Sequence, residues 1–133
     1  MAYVIDTNIL LLILTLDDPE QSRRAVDLLR RAAEGELSLF ISDVCMAEIA
    51  WTLESYYKLP RPAVGEKLMA LLNTDGLTFT SSNVLTDTVL RYSEHNVDFA
   101  DAYHAAIAAN KKTDVYTYDR DYDRFTDIKR LEP

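Results

Sequence analysis

A chain of 133 residues is long enough for one domain with a buried core, and 48% hydrophobic against 27% charged residues is the balance of a globular protein. The formal charge of −8 excludes a protein that coats nucleic acid through a broad basic surface, though not an enzyme that touches a short stretch of it. The single cysteine, Cys45, excludes an internal disulfide framework, and the longest apolar run, residues 9–14, is too short to cross a bilayer. No basic segment precedes that run, so the expectation is a cytoplasmic protein with no secretory signal and no membrane partner.

The first predicted element is a strand over residues 3–5, and Asp6 follows it directly, ahead of a helix. A carboxylate there has two readings. Aspartate is a favoured helix N-cap, and the crevice beyond strand ends is where parallel α/β sheets bind ligands. Thr7 and Asn8 are placed either to cap the helix or to hold the Asp6 carboxylate. Arg23, Arg24, Arg30 and Arg31 read first as a solvated helix face and second as contacts to a nucleic-acid backbone. A second strand over 38–41 leads into a helix over 42–57. On it Met46, Ile49, Ala50, Leu53 and Tyr57 form an apolar stripe, and Cys45 reads as a small buried residue. Glu48 is the odd member. Val44 and Cys45 lie one turn before it and Trp51 and Thr52 one turn after, surroundings in which a charge is costly unless paired. No basic residue occurs between Ile41 and Tyr57, so a metal or a distant arginine is left to compensate. The other reading is a glutamate on the solvated edge of the helix.

A helix over 61–73, with Pro62 in its first turn, and a strand over 77–79 come next. The segment 98–110 is an alanine-rich helix, suited to close packing on a sheet. Asp98 reads as its N-cap. Asp101 lies three residues on, on the same face and near the positive end of the helix dipole. A last strand over 114–117 is followed by Asp119, Asp121 and Asp123. These resemble the alternating acids of a calcium loop, but the glycine and the later glutamate of an EF-hand are missing. Asp123 reads as part of a solvated acidic turn.

Strands alternating with helices predict an α/β fold with a parallel sheet. Acids at the ends of the first and last strands, with two more at helix positions, form a set of hard oxygen donors suited to Mg²⁺ or Mn²⁺. Other chemistries lack their parts. The chain has only three glycines and no phosphate loop, no G-x-S-x-G and no Cys/His zinc spacing. His95 and His104 stand alone in the sequence, and His104 reads as packed or hydrogen-bonded.

Four segments carry a resemblance: Val4-Ile5-Asp6-Thr7-Asn8-Ile9-Leu10, Ala47-Glu48-Ile49-Ala50-Trp51, Asp98-Phe99-Ala100-Asp101-Ala102 and Thr117-Tyr118-Asp119-Arg120-Asp121. In this order, over nearly the whole chain, they resemble the motifs of the PIN domain family, more narrowly those of VapC-type toxin ribonucleases. The resemblance implies a single PIN-like nuclease domain over 1–133. Its fold is expected to be a three-layer sandwich, with a central parallel sheet of four to five strands flanked by helices. It also implies bound Mg²⁺ or Mn²⁺, a homodimer, an RNA substrate and a cognate antitoxin.

By position, Asp6, Glu48, Asp101 and Asp119 match the family's acidic quartet. Many relatives carry asparagine where Asp119 stands. Thr7, Asn8 and Thr117 match small polar positions beside the quartet, and Asp98 and Asp121 are additional acids in supporting positions. The implied reaction is metal-dependent hydrolysis of a phosphodiester, leaving a 5′-phosphate and a 3′-hydroxyl. It does not use the 2′-hydroxyl, so the choice of RNA over DNA comes from the resemblance alone. Three alternatives stand beside it. A haloacid dehalogenase-like phosphatase wants a second aspartate where this chain has Asn8. An RNA-processing PIN nuclease would lack an antitoxin. A silent PIN-like binding module would have lost acids that this chain retains.

Overall fold

Short strands and helices alternate along the chain as the hydrophobic pattern predicts. The computed structural model describes all 133 residues, and they pack as two units, Met1–Ser82 and Asn83–Pro133. In the first unit β1 (Ala2–Val4), β2 (Ser38–Phe40) and β3 (Leu77–Thr78) form a parallel sheet in that spatial order. Tyr3 stands opposite Leu39, and Leu39 opposite Leu77. The first strand was expected over 3–5. Ile5 still donates its N–H to the Phe40 carbonyl at 3.1 Å, so the ladder reaches the expected residue.

Four helices belong to this unit: α1 (Thr7–Thr15), α2 (Pro19–Ala33), α3 (Asp43–Ser55) and α4 (Arg61–Leu72). Local chemistry sets their ends. Leu16 turns left-handed (φ 57°) and stops α1. The Asp18 carboxylate accepts from Gln21 N at 3.1 Å, and Pro19 starts α2 at the one place a helix tolerates proline well. The Ser42 hydroxyl accepts from Cys45 N at 3.0 Å and caps α3. Met46, Ile49, Ala50 and Leu53 are buried, as the stripe predicts. Tyr57 lies beyond the end of α3, where its hydroxyl donates to Asp17. Helix α3 packs against α1 and α4. Each large aliphatic side chain buried there contributes about 1.5–3 kcal/mol.

The second unit carries α5 (Ser82–Glu94, all but its first residue), α6 (Phe99–Lys111), β4 (Val115–Tyr116), a 3₁₀ turn (Arg120–Arg124) and β5 (Arg130–Leu131). Strands β4 and β5 pair in parallel, with Val115 opposite Arg130 and Tyr116 opposite Leu131. A parallel pair needs a crossover of about a dozen residues or more, and residues 117–129, with the 3₁₀ turn, supply it. Helix α6 packs on β4, with Ala102, Ala105, Ala106 and Ala108 buried. The five strands are all parallel, three in one sheet and two in the other, and the fold class is α/β. No helix is long and apolar enough to cross a membrane.

Arg91 anchors the second unit. It is 8% exposed, yet its guanidinium meets Asp87 at 3.1 Å and both carboxylate oxygens of Asp127, and it lies 5.2 Å over the Phe125 ring. A buried guanidinium is tolerable only when paired in this way.

Two glycines adopt conformations that favour glycine, at φ +87° (Gly35) and +86° (Gly76). A Cβ on Gly35 meets nothing within 4 Å, whereas one on Gly76 lands 2.3 Å from the Ala32 carbonyl oxygen. Gly35→Ala should therefore cost about 1–2 kcal/mol, the left-handed backbone term alone. Gly76→Ala should cost clearly more, because backbone must move. Urea unfolding of both variants checks this, and equal losses would contradict the close approach of Gly76 to the end of α2.

Candidate active site

Asp6 occupies the N-cap position of α1, and its carbonyl accepts from Ile9 N at 3.1 Å. Its carboxylate makes no cap hydrogen bond, so capping does not account for the side chain. Thr7 is buried, and its hydroxyl lies 3.2 Å from Cys45 Sγ and 3.3 Å from Glu48 Oε1. One hydroxyl proton serves one of them at a time. Thr7 thereby links the start of α1 to the middle of α3. Asn8 is exposed on the first turn of α1.

Cys45 is buried, as expected. Burial pushes its thiol pKa up, the Thr7 hydrogen bond opposes the shift, and the charges of Glu48 and Asp6 add to it. Both carboxylates therefore act on one buried sulfur, and a thiol held protonated is no nucleophile. Glu48 departs from its expected surroundings. It is exposed, and so are Val44 (67%) and Trp51 (68%). The desolvation cost expected from those neighbours does not arise, because they share its solvated face while Cys45 and Ile49 turn inward.

The second unit gathers its acids more tightly. Asp101, Asp119 and Asp121 each offer an oxygen, and these oxygens all lie within 4.8 Å of one another. Asp101 comes from the first turn of α6. Asp119 follows β4, and its backbone N–H donates to Thr117 Oγ1 at 3.0 Å. Its Oδ1 accepts from Asp121 N at 2.9 Å, which starts the 3₁₀ turn and folds Asp121 back beside it. Asp98 is the N-cap residue of α6 but makes no side-chain cap bond. Asp123 pairs with Arg130 at 3.0 Å, apart from the cluster.

Asp101 is half-buried, and burial pushes its carboxyl pKa up. A hydrogen bond from the Tyr122 hydroxyl, at 3.1 Å, opposes the shift, the charges of Asp119 and Asp98 add to it, and His104 opposes it. Tyr122 is the residue that sequence reasoning missed. Its ring is buried, and its partners lie 21 and 18 residues away, at Asp101 and His104. The one signal pointing there was the expectation that His104 is hydrogen-bonded.

The sequence profile of the PIN domain matches residues 3–128, a span that includes every acid described above. The chain belongs to the PIN domain family. PIN domains are in general nucleases, so the acids of this PIN domain sit in a nuclease fold. No curated protein matches the chain. Among solved structures it is similar to VapBC2 from Rickettsia felis bound to a DNA fragment from their promoter. That match has 14% identity and a TM-score of 0.40, and covers 99% of this chain and 98% of the other.

The donor set fits a hard divalent cation. Around Mg²⁺, with bonds of about 2.1 Å, ligand oxygens lie about 3.0 Å apart when adjacent and about 4.2 Å apart when opposite, so three carboxylate oxygens within 4.8 Å of one another must draw together to share one ion.

A raised folded-state pKa at Asp101 has a sign that can be measured. Its stabilising contribution is complete below the ordinary value of 3.8 and is lost as pH rises through the folded value. In EDTA, wild type should therefore lose stability relative to Asp101→Asn across that interval. The asparagine oxygen still accepts from Tyr122, so the difference reports charge. Thermal melts from pH 3.5 to 7 check this, and parallel curves for the two proteins would contradict it.

Proposed function

We propose that this PIN domain is a divalent-metal-dependent endoribonuclease and the toxin of a type II toxin–antitoxin pair. The observation that carries the nuclease reading is the Asp101, Asp119 and Asp121 cluster, within a chain matched by the family over nearly its whole length. The resemblance of the four acidic motifs to VapC-type toxins supports the RNA substrate, the antitoxin and a homodimer. Residues 1–133 act as one nuclease domain in this reading.

The proposed catalytic carboxylates are Asp6, Glu48, Asp101 and Asp119. Asp121 joins Asp101 and Asp119 as a candidate ligand because its oxygen stands as close as theirs. When bound, Mg²⁺ or Mn²⁺ supplies Lewis acidity, which lowers the pKa of water and offsets charge on phosphoryl oxygens. The chain's own contributions are to hold and orient. Thr7 steadies Glu48, Thr117 steadies the backbone of Asp119, and the half-buried Asp101 presents a carboxylate whose burial strengthens its attraction to a cation. Glu48, solvated and held at one oxygen, is suited to orient the attacking water. An antitoxin for a chain of charge −8 is expected to present a basic segment to these carboxylates.

Incubation with total cellular RNA, in Mg²⁺, Mn²⁺ or EDTA, tests the reading. Cleavage should require the metal and leave 5′-phosphate and 3′-hydroxyl ends, and Asp6→Asn and Asp101→Asn should each abolish it without unfolding the protein. Binding adds a second readout. At free Mn²⁺ about 100 times its dissociation constant, the gain in stability is about 2.7 kcal/mol, or several degrees in Tm. That gain should shrink in both variants. Equal shifts in all three proteins would remove these carboxylates from the metal site.

A further inference from the structure

A phenylalanine at position 122 would fill the same space as the Tyr122 ring, so the hydroxyl is not there for packing. A buried hydroxyl is costly unless its bonds are made, and here both kinds are made. Tyr122 is 5% exposed, with its oxygen 3.1 Å from Asp101 Oδ1 and 3.2 Å from His104 Nδ1. A phenol has one proton. Given to the carboxylate, it leaves the oxygen to accept from His104, which must then carry its proton on Nδ1. The direction is set from histidine to tyrosine to aspartate.

The ring is held as firmly as the hydroxyl. Tyr122 meets Phe125 edge to face, with centroids 6.2 Å apart. Phe125 in turn lies beneath the paired Arg91 guanidinium and against the His95 ring at 5.1 Å. His104 sits three residues after Asp101 on α6, hence on the same face. One lone pair of Asp101 Oδ1 is thereby occupied from the buried side, which restrains the carboxylate at that oxygen. Its remaining lone pairs are left for the cluster with Asp119 and Asp121.

We propose that Tyr122, oriented by His104, is a positioning residue that sets the Asp101 carboxylate for a divalent cation. This rests on the metal-dependent nuclease reading and deepens it. The role is that of an outer partner to a ligand, whose loss typically costs 10–100-fold in metal affinity or activity.

The test is Mn²⁺ affinity of the full chain, by calorimetry or electron paramagnetic resonance, with metal-free melting points alongside. Tyr122→Phe should weaken Mn²⁺ binding about 10–100-fold while melting close to wild type without metal. His104→Ala should weaken binding in the same direction. His104→Asn should restore it, because the asparagine amide can donate where Nδ1 did. If Tyr122→Phe binds Mn²⁺ as tightly as wild type while Asp101→Asn has lost it, the positioning role is overturned and the nuclease reading stands. If Asp101→Asn also binds as wild type does, both fall together.

Discussion

Three carboxylates whose oxygens lie within 4.8 Å of one another repel, and the second unit is organised around holding them there. Left to themselves, side chains on a loop would swing apart into water. The chain prevents this by giving each acid a separate local hold. Asp101 stands in the first turn of α6, where the helix dipole favours negative charge. Asp119 spends one oxygen on the Asp121 N–H, and that same bond delivers Asp121 to the cluster. Arg124, 3.7 Å from Asp121, offsets part of the charge from the outer side. The crossover between two parallel strands is short, and this makes the holds effective, because a longer loop would have more freedom to separate its acids.

Behind the cluster lies a second constraint of opposite sign. Arg91 is a buried cation, and its fork is satisfied by Asp87 and Asp127. A lysine could not do the same work, since Phe125 is covered by a flat guanidinium rather than a point charge. The order Arg91, Phe125, Tyr122, Asp101 therefore runs from a paired charge in the interior to an acid at the surface, through packed rings and one hydrogen bond. In the first unit the equivalent work is smaller. The Thr7 hydroxyl meets Glu48 and the buried Cys45, and the charges of both Glu48 and Asp6 reach that one compact, uncharged thiol.

What could be read from the sequence is what depends on neighbours in the chain. The strands at 38, 77 and 115 and the apolar stripe of α3 are local, and hydrophobic periodicity decides each of them. The acids at strand ends and on α6 were legible for the same reason. Strand β5 was not, because Arg130 and Leu131 carry no strand pattern; their pairing with β4 comes from the crossover. Of the two readings of Glu48 the structure shows the solvated edge, and helical spacing could not choose it, because spacing gives neighbours but not which of them face solvent. Tyr122 was invisible because its meaning lies in Asp101 and His104, far off in sequence. Asp121 was read as a supporting acid because the turn that folds it back exists only once Asp119 accepts its N–H.

The charge of −8 fits these arrangements together. Seven arginines, Arg24, Arg30, Arg31, Arg61, Arg91, Arg124 and Arg130, already stand in ion pairs with carboxylates. Three of the four arginines on α2 are among them, which favours the solvated-face reading of that helix over a nucleic-acid contact. Even so, the acids outnumber the bases, 22 to 14, and three of them are held within 4.8 Å of one another against their own repulsion. The other seven cations, Arg23, Arg120, Lys58, Lys67, Lys111, Lys112 and Lys129, stand in none of these pairs, so the chain keeps positive charge outside them. At the cluster itself a phosphate meets three acids within 4.8 Å of one another, and only positive charge placed there offsets that repulsion. On the proposed metal-dependent reading, phosphate binding at the cluster and cation binding are thermodynamically linked, each strengthening the other by the same factor. The acidity that excludes a nucleic-acid-coating protein is, on this reading, what makes phosphate binding at the cluster depend on the cation.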